Sequence, residues 1–147
     1  MGLLSKIAEM LSNDPKIRIE GAGHFDFEVV GESNYQGPLK RICGGRKKEP
    51  ARHLVEAILV HEDDNEHDKK AIEVEIEGHT VAYLSRDDAR NYRRRLKKAG
   101  HPGESAYCDA VIVGGWNRGF FDKGKFGVKL DIPDEGKLEV TVPKPRA

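Results

Sequence analysis

Apolar and polar residues alternate over much of the chain, which is the pattern typical of half-buried β-strands. Residues 72–76 alternate isoleucine or valine with glutamate, and the Glu77-Gly78 turn then leads into residues 80–84, which predicts a β-hairpin. Residues 54–60 are almost entirely apolar, so this strand is expected to be buried on both faces. Further strands are predicted at residues 25–29, 107–113, 126–132 and 138–142.

Two segments show helical rather than strand periodicity. Residues 3–11 place leucine, isoleucine and alanine on one face, which predicts a short amphipathic helix. A second helix is predicted to begin after Ser85, a favoured N-cap residue, and to end at Gly100, with Lys97 and Lys98 in its last turn.

The order of these elements predicts a mainly β protein with two helices, in the α+β class. A small OB-like β-barrel fits best, because closing a sheet on itself removes exposed strand edges. We expect an N-terminal amphipathic helix and linker over residues 1–20, the barrel over 21–142 and a tail over 143–147.

Charge limits the kind of partner. The 147-residue chain carries 25 basic and 25 acidic residues, so its formal net charge is zero and a broad electrostatic hold on long nucleic acid is not expected. Cations cluster at residues 40–48 and 86–98, with an acidic run at 62–68 between them.

Two cysteines predict a reducing, cytoplasmic setting. Without a long apolar run, no membrane partner is expected.

Known enzyme motifs are missing from the sequence. It contains neither a phosphate-binding P-loop nor a G-x-S-x-G nucleophile motif, so we expect no enzyme activity, catalytic residue or cofactor. The segment 61–68, HEDDNEHD, allows two interpretations. Its histidines and carboxylates could hold a divalent ion for phosphodiester cleavage, or its asparagine and aspartates could fix a polar turn. No metal site is assigned.

Two blocks of sequence resemble the HIRAN domain family. The first runs from Asp64-Asn65 through Asp68 to the strand 71–74, and continues as VAYLSR at 81–86. The second is VVGESNYQG at 29–37. The resemblance covers roughly residues 25–132. It implies an OB-like barrel that binds single-stranded DNA and captures the free 3′ end, as in DNA-repair translocases.

The resemblance also implies where DNA would bind. Tyr35 would stack on the terminal base, Asp68 would accept the terminal hydroxyl proton, and Arg86 would meet phosphate at the start of a helix. The Gly-rich loop GGWNRGFFDKGK at 114–125 adds aromatic rings and cations, either as a nucleic-acid contact or as a lid over the core. The predicted DNA-binding residues are Asn34, Tyr35, Asn65, His67, Asp68, Tyr83, Arg86, Trp116 and Arg118.

The leading functional hypothesis is a non-enzymatic module that binds single-stranded DNA or DNA ends. A second hypothesis is a protein-interaction adaptor that docks a helicase, nuclease, or phage or repair protein through the N-terminal helix and the basic helix 86–98. A third is a metal-dependent nuclease that uses residues 61–68.

Overall fold

The computed structural model describes residues 14–143, so the helix predicted at 3–11 lies outside the described residues. Within these residues, two α-helices and a one-turn 3-10 helix at Glu32–Asn34 accompany eight strands. The helices are α1 (Gln36–Ile42) and α2 (Arg86–Lys98). The strands are β1 (Ile17–Glu20), β2 (Phe27–Glu28), β3 (Ala51–Glu62), β4 (Ala71–Ile76), β5 (His79–Tyr83), β6 (Ala106–Gly114), β7 (Phe126–Leu130) and β8 (Glu139–Thr141).

All eight strands belong to one sheet. The main order is β2-β7-β6-β3-β4-β5, and β1 lies parallel to β6 and antiparallel to β8. The sheet is strongly curled into an open half-barrel, and the predicted mainly β, α+β class is confirmed. Residues 17–20, assigned from the sequence to a linker, instead form β1. They join the sheet because Ile17 and Ile19 are buried in the core.

The concave side of the curled sheet holds the core. Ala57 and Leu59 of β3 point into it and are fully buried, whereas Leu54 is 62% exposed. The expectation that 54–60 is buried on both faces is therefore wrong. One face of the curled strand meets the core while the other meets solvent, and the apolar run could not reveal that difference.

Helix α2 follows its sequence signals closely. The Ser85 hydroxyl oxygen accepts a hydrogen bond from the Asp88 backbone N–H (3.2 Å), and the chain leaves the helix at Gly100 with a φ of 91°. Tyr92 and Leu96 are buried against the core. Within residues 14–143, no helix is long and apolar enough to cross a bilayer.

Candidate nucleic-acid interface

Two tyrosine rings meet where the chain after β2 reaches the edge strand β5. Backbone hydrogen bonds link Val30 and Tyr83 in both directions, at 2.8 and 2.9 Å. Tyr35 precedes α1, and its backbone N–H donates to the Glu32 carbonyl (2.9 Å). The centroids of the Tyr35 and Tyr83 rings lie 6.5 Å apart with planes tilted by 41°. The fold thus places two half-buried rings side by side at this junction, which we call the tyrosine pair.

Carboxylates surround one member of the pair. Burial, together with the nearby Glu62 carboxylate, raises the pKa of the Tyr83 hydroxyl above its ordinary value. Glu73 lies directly across the sheet from Tyr83, and partial burial raises the pKa of Glu73 although it accepts a hydrogen bond from the Thr80 hydroxyl. Carboxylates repel phosphate but accept hydrogen bonds from hydroxyl and amino groups.

The loop between β3 and β4 is held in a fixed turn by Asn65. Its side-chain oxygen accepts from the backbone N–H groups of His67 and Asp68, both at 2.9 Å, and its amide donates to the Glu62 carboxylate (3.3 Å). This is the polar turn that the sequence offered as the alternative to a metal site. His67 is exposed at the surface of the loop.

Asp68 holds cations rather than offering free oxygens. One carboxylate oxygen accepts from the Lys70 backbone N–H (3.0 Å) and from Arg90 (3.3 Å). The other accepts from Arg90 (3.3 Å) and lies 3.7 Å from Nε of Arg86. The Lys70 bond and the two guanidinium groups lower the pKa of Asp68. A carboxylate accepts about four hydrogen bonds, and Lys70 and Arg90 already fill three of these positions on Asp68, so little capacity is left for the expected hydroxyl-accepting role.

Arg86 presents the most accessible cation of this group. Its side chain is 69% exposed, and among the described residues its guanidinium is held only by the Nε contact to Asp68. Arg90 is more enclosed, because it binds both Asp68 and the Arg86 carbonyl (3.1 Å). An arginine at the first turn of a helix, with a side chain this exposed, is suited to a phosphate oxygen.

Several of the predicted residues therefore form one line of contacts. The line runs through Tyr35, Tyr83, Glu62, Asn65, Asp68 and Arg86. Asn34 is exposed beside the tyrosine pair, and His67 is exposed beside Asp68. Glu62 lies on this line and Arg90 contacts it, but neither was among the residues predicted from the sequence. The acidic run and the basic helix each contained them, but neither pattern shows which members face each other.

Trp116 and Arg118 lie in a second group, in the loop between β6 and β7. The indole N–H of Trp116 donates to the Asp122 carboxylate (2.9 Å), and its ring covers Gly124. The Arg118 guanidinium lies 6.0 Å from the Trp116 ring centroid and donates to the Lys48 carbonyl (3.1 Å). Both side chains thus hold this loop together.

The aromatic residues of that loop divide between core and solvent. Phe126 is 2% exposed and packs in the core, whereas Phe120 and Phe121 are 82% and 96% exposed at the loop tip. Their rings meet edge to face, with centroids 5.0 Å apart. The loop tip therefore does not cover the core. The interpretation of this loop as a lid over the core is wrong.

Helix α1 separates the two groups. Tyr35 lies at its N-terminal end, while Arg46 follows its C-terminal end and lies over the Phe126 ring at 5.1 Å. Seven helical residues span about 10 Å, so the two ends of α1 lie roughly that far apart. The basic side chains of Lys40 and Arg41 are exposed between them.

The acidic loop does not assemble a metal site. Within residues 14–143, no group of three histidine, cysteine, aspartate or glutamate side chains is placed to hold a metal ion. Asp63 is paired with Arg93 at 2.9 Å, and Nε2 of His61 is bonded to the Glu104 carbonyl at 3.1 Å. The potential ligands therefore point to different partners.

No protein-family model, curated protein or solved structure matches this chain. The geometry of the site is therefore the basis for assigning a function.

Proposed function

We propose that this protein is a non-enzymatic nucleic-acid-binding module that takes hold of the free end of a single DNA strand. The observation that supports it best is the line of contacts from the tyrosine pair to Arg86. One end of that line offers aromatic surface and carboxylates, and the other end offers an exposed guanidinium. The hydrogen bonds between Val30 and Tyr83 also fit the closed OB-like barrel that the HIRAN resemblance implies.

A site with rings and carboxylates at one end and a cation at the other suits the end of a DNA strand better than its middle. A terminal base would stack on the tyrosine pair, which is worth about 1–3 kcal/mol per stacked base. The terminal hydroxyl would meet Glu62 or Glu73, and the first internal phosphate would meet Arg86. A phosphorylated 3′ end would bring a dianion to the two carboxylates, so the proposal requires a preference for the free hydroxyl.

Few phosphates would be contacted, which matches a chain without net charge. The salt slope for single strands is about −0.7 per neutralised phosphate, so a contact involving two to four phosphates gives a shallow slope of about −1.4 to −2.8. Two free cysteines fit a module that works in the reducing cytoplasm.

Fluorescence anisotropy with short labelled oligonucleotides tests the proposal. We expect tighter binding to a free 3′ hydroxyl than to a 3′ phosphate, and weaker binding after Tyr35→Ala or Arg86→Ala. Arg94→Ala is the matched control, because Arg94 lies on the same helix, is exposed and contacts only Asn91 among the described side chains. Equal binding to both kinds of end would rule out end recognition.

A protein-interaction adaptor is a second candidate, with a docking surface other than the two helices predicted from the sequence, because Phe120 and Phe121 are exposed at the β6–β7 loop tip. Aromatic residues exposed on a rigid loop often anchor a protein partner. The Phe120→Ala, Phe121→Ala double variant distinguishes the two functions. If the protein binds no oligonucleotide and this variant alone abolishes a purified partner's binding, the adaptor function is correct.

A further inference from the structure

Part of one edge of the long strand β3 has no neighbouring strand within residues 14–143. β3 pairs with β6 over residues 51–59 but with β4 only over 58–62. Within residues 14–143, residues 51–56 therefore have an unpaired backbone on the β4 side. We call these residues the β3 edge. At about 3.3 Å per residue, it offers roughly 20 Å of strand.

The β3 edge is accessible and poorly shielded. Arg52, His53 and Leu54 are all exposed, and Leu54 is one of the few large apolar side chains in contact with solvent. A groove of about 470 Å³ runs beside it, with Glu75 and Glu77 at the end nearest β4. Proteins usually block such edges with lysine, proline or a bulge, because an open edge pairs with other chains. Here Pro50 blocks only the beginning.

The sequence of the edge is complementary to itself. In antiparallel pairing with a second copy, centred on Leu54, the segment ARHLVEA places Leu54 opposite Leu54 and Arg52 opposite Glu56. Arg52 has no hydrogen-bond or ion-pair partner among the described residues. The Glu56 carboxylate is held in place by Arg18 at 3.1 Å. Opposite charges directly across two strands stabilise their pairing.

The neighbouring charges favour the same arrangement. In this register, Arg52 of a second copy lies opposite Glu56, and Glu75 and Glu77 line the same groove as Glu56. We propose that two copies of this chain associate through their β3 edges, forming a dimer in which the sheet continues across a two-fold axis. A two-fold axis requires a self-complementary surface, and the edge meets that requirement. This proposal is independent of the nucleic-acid function.

A strand pair of this length makes a small interface, so the dimer should be concentration-dependent. Sedimentation velocity on the full chain, measured over a wide concentration range, should show a rise from monomer mass toward dimer mass. Leu54→Glu places two carboxylates face to face on the axis and should leave only monomer. Val142→Glu is the matched control, because Val142 is 76% exposed but lies away from this edge, and it should dimerise like the wild type.

Charge exchange then tests the register. Arg52→Glu places like charges opposite each other at two points of the dimer and should raise the dimer Kd by at least about tenfold. Glu56→Lys should do the same, and mixing the two variants should restore association because each then supplies the other's missing charge. Thermal melting confirms that each variant is folded, and Arg52→Glu alone carries the test if loss of the Arg18 contact unfolds Glu56→Lys.

Three outcomes would overturn the proposal. One is a wild-type protein that remains monomeric at every concentration. A second is a dimer that survives Leu54→Glu. A third is a monomer whose β3-edge amides are protected from hydrogen exchange, which would show that another segment of the same chain covers the edge.

Discussion

The side chain of Gln36 joins helix α1 to strand β7 and thereby positions the adjacent Tyr35. Its amide nitrogen donates to the carbonyls of Phe126 (2.9 Å) and Glu32 (3.0 Å), and its oxygen accepts from the Phe126 backbone N–H (2.8 Å). Phe126 is almost completely buried at the first residue of β7. Gln36→Ala removes all three bonds and leaves the backbone groups of Phe126 without these partners.

The expected loss follows from the number of bonds. A neutral hydrogen bond contributes about 1 kcal/mol, and a buried group left without a partner costs about 1–3 kcal/mol. Because Gln36 is half-buried and water reaches part of the site, we expect Gln36→Ala to lower the free energy of unfolding by about 2–3 kcal/mol. For a domain of this size, that lowers Tm by roughly 5–10 °C.

Urea denaturation measures this difference directly. The midpoint should fall while the m-value stays constant, because the native fold is retained. Ser33→Ala is the control, since Ser33 is exposed on the adjacent 3-10 turn, and it should change stability by less than about 0.5 kcal/mol. A Gln36→Ala protein as stable as this control would show that the three bonds do not hold α1 in place.

Two further predictions concern other parts of the core. Gly124→Ala would place a Cβ 2.3 Å from the Trp116 ring and should cost about 1–3 kcal/mol by thermal melting, whereas Gly37→Ala, where space is available, should be neutral or stabilising. Burial and the neighbouring Arg93 lower the pKa of His61, so the folded state resists its protonation. The contribution of neutral His61 to the free energy of unfolding should therefore be fully present above about pH 6.5 and be lost as the pH falls below that value. Between about pH 7.5 and pH 5.5, the urea midpoint should fall less for His61→Gln than for the wild type, and equal falls would contradict this role.

Local signals in the sequence were sufficient to predict several secondary-structure elements. The N-cap at Ser85 and the stop at Gly100 fixed helix α2, because both depend on hydrogen bonds within a few residues. The β4–β5 hairpin could also be predicted from local sequence. Glu77 and Gly78 both adopt positive φ, at 51° and 79°, as a two-residue turn between twisted strands requires.

Helix α1 was not predicted, because its sequence QGPLKRI contains glycine and proline and is only two turns long. It forms because distant parts of the chain support it: Gln36 binds β7, and Leu39 is fully buried in the core. Such support depends on contacts some 90 residues away along the chain, which periodicity does not record.

The candidate site was likewise predicted only in part from the sequence. Residue types and their order pointed to Tyr35, Asp68 and Arg86. Only the folded chain revealed that Arg90 and Arg86 both contact Asp68, that Glu62 lies beside Tyr83, and that the two predicted groups lie near opposite ends of α1. By itself, the sequence determined most of the strands, the hairpin turn and the caps of α2, since these depend on neighbouring residues. The tertiary structure decided which face of β3 is buried and which charges meet, because both depend on strand pairing between distant segments.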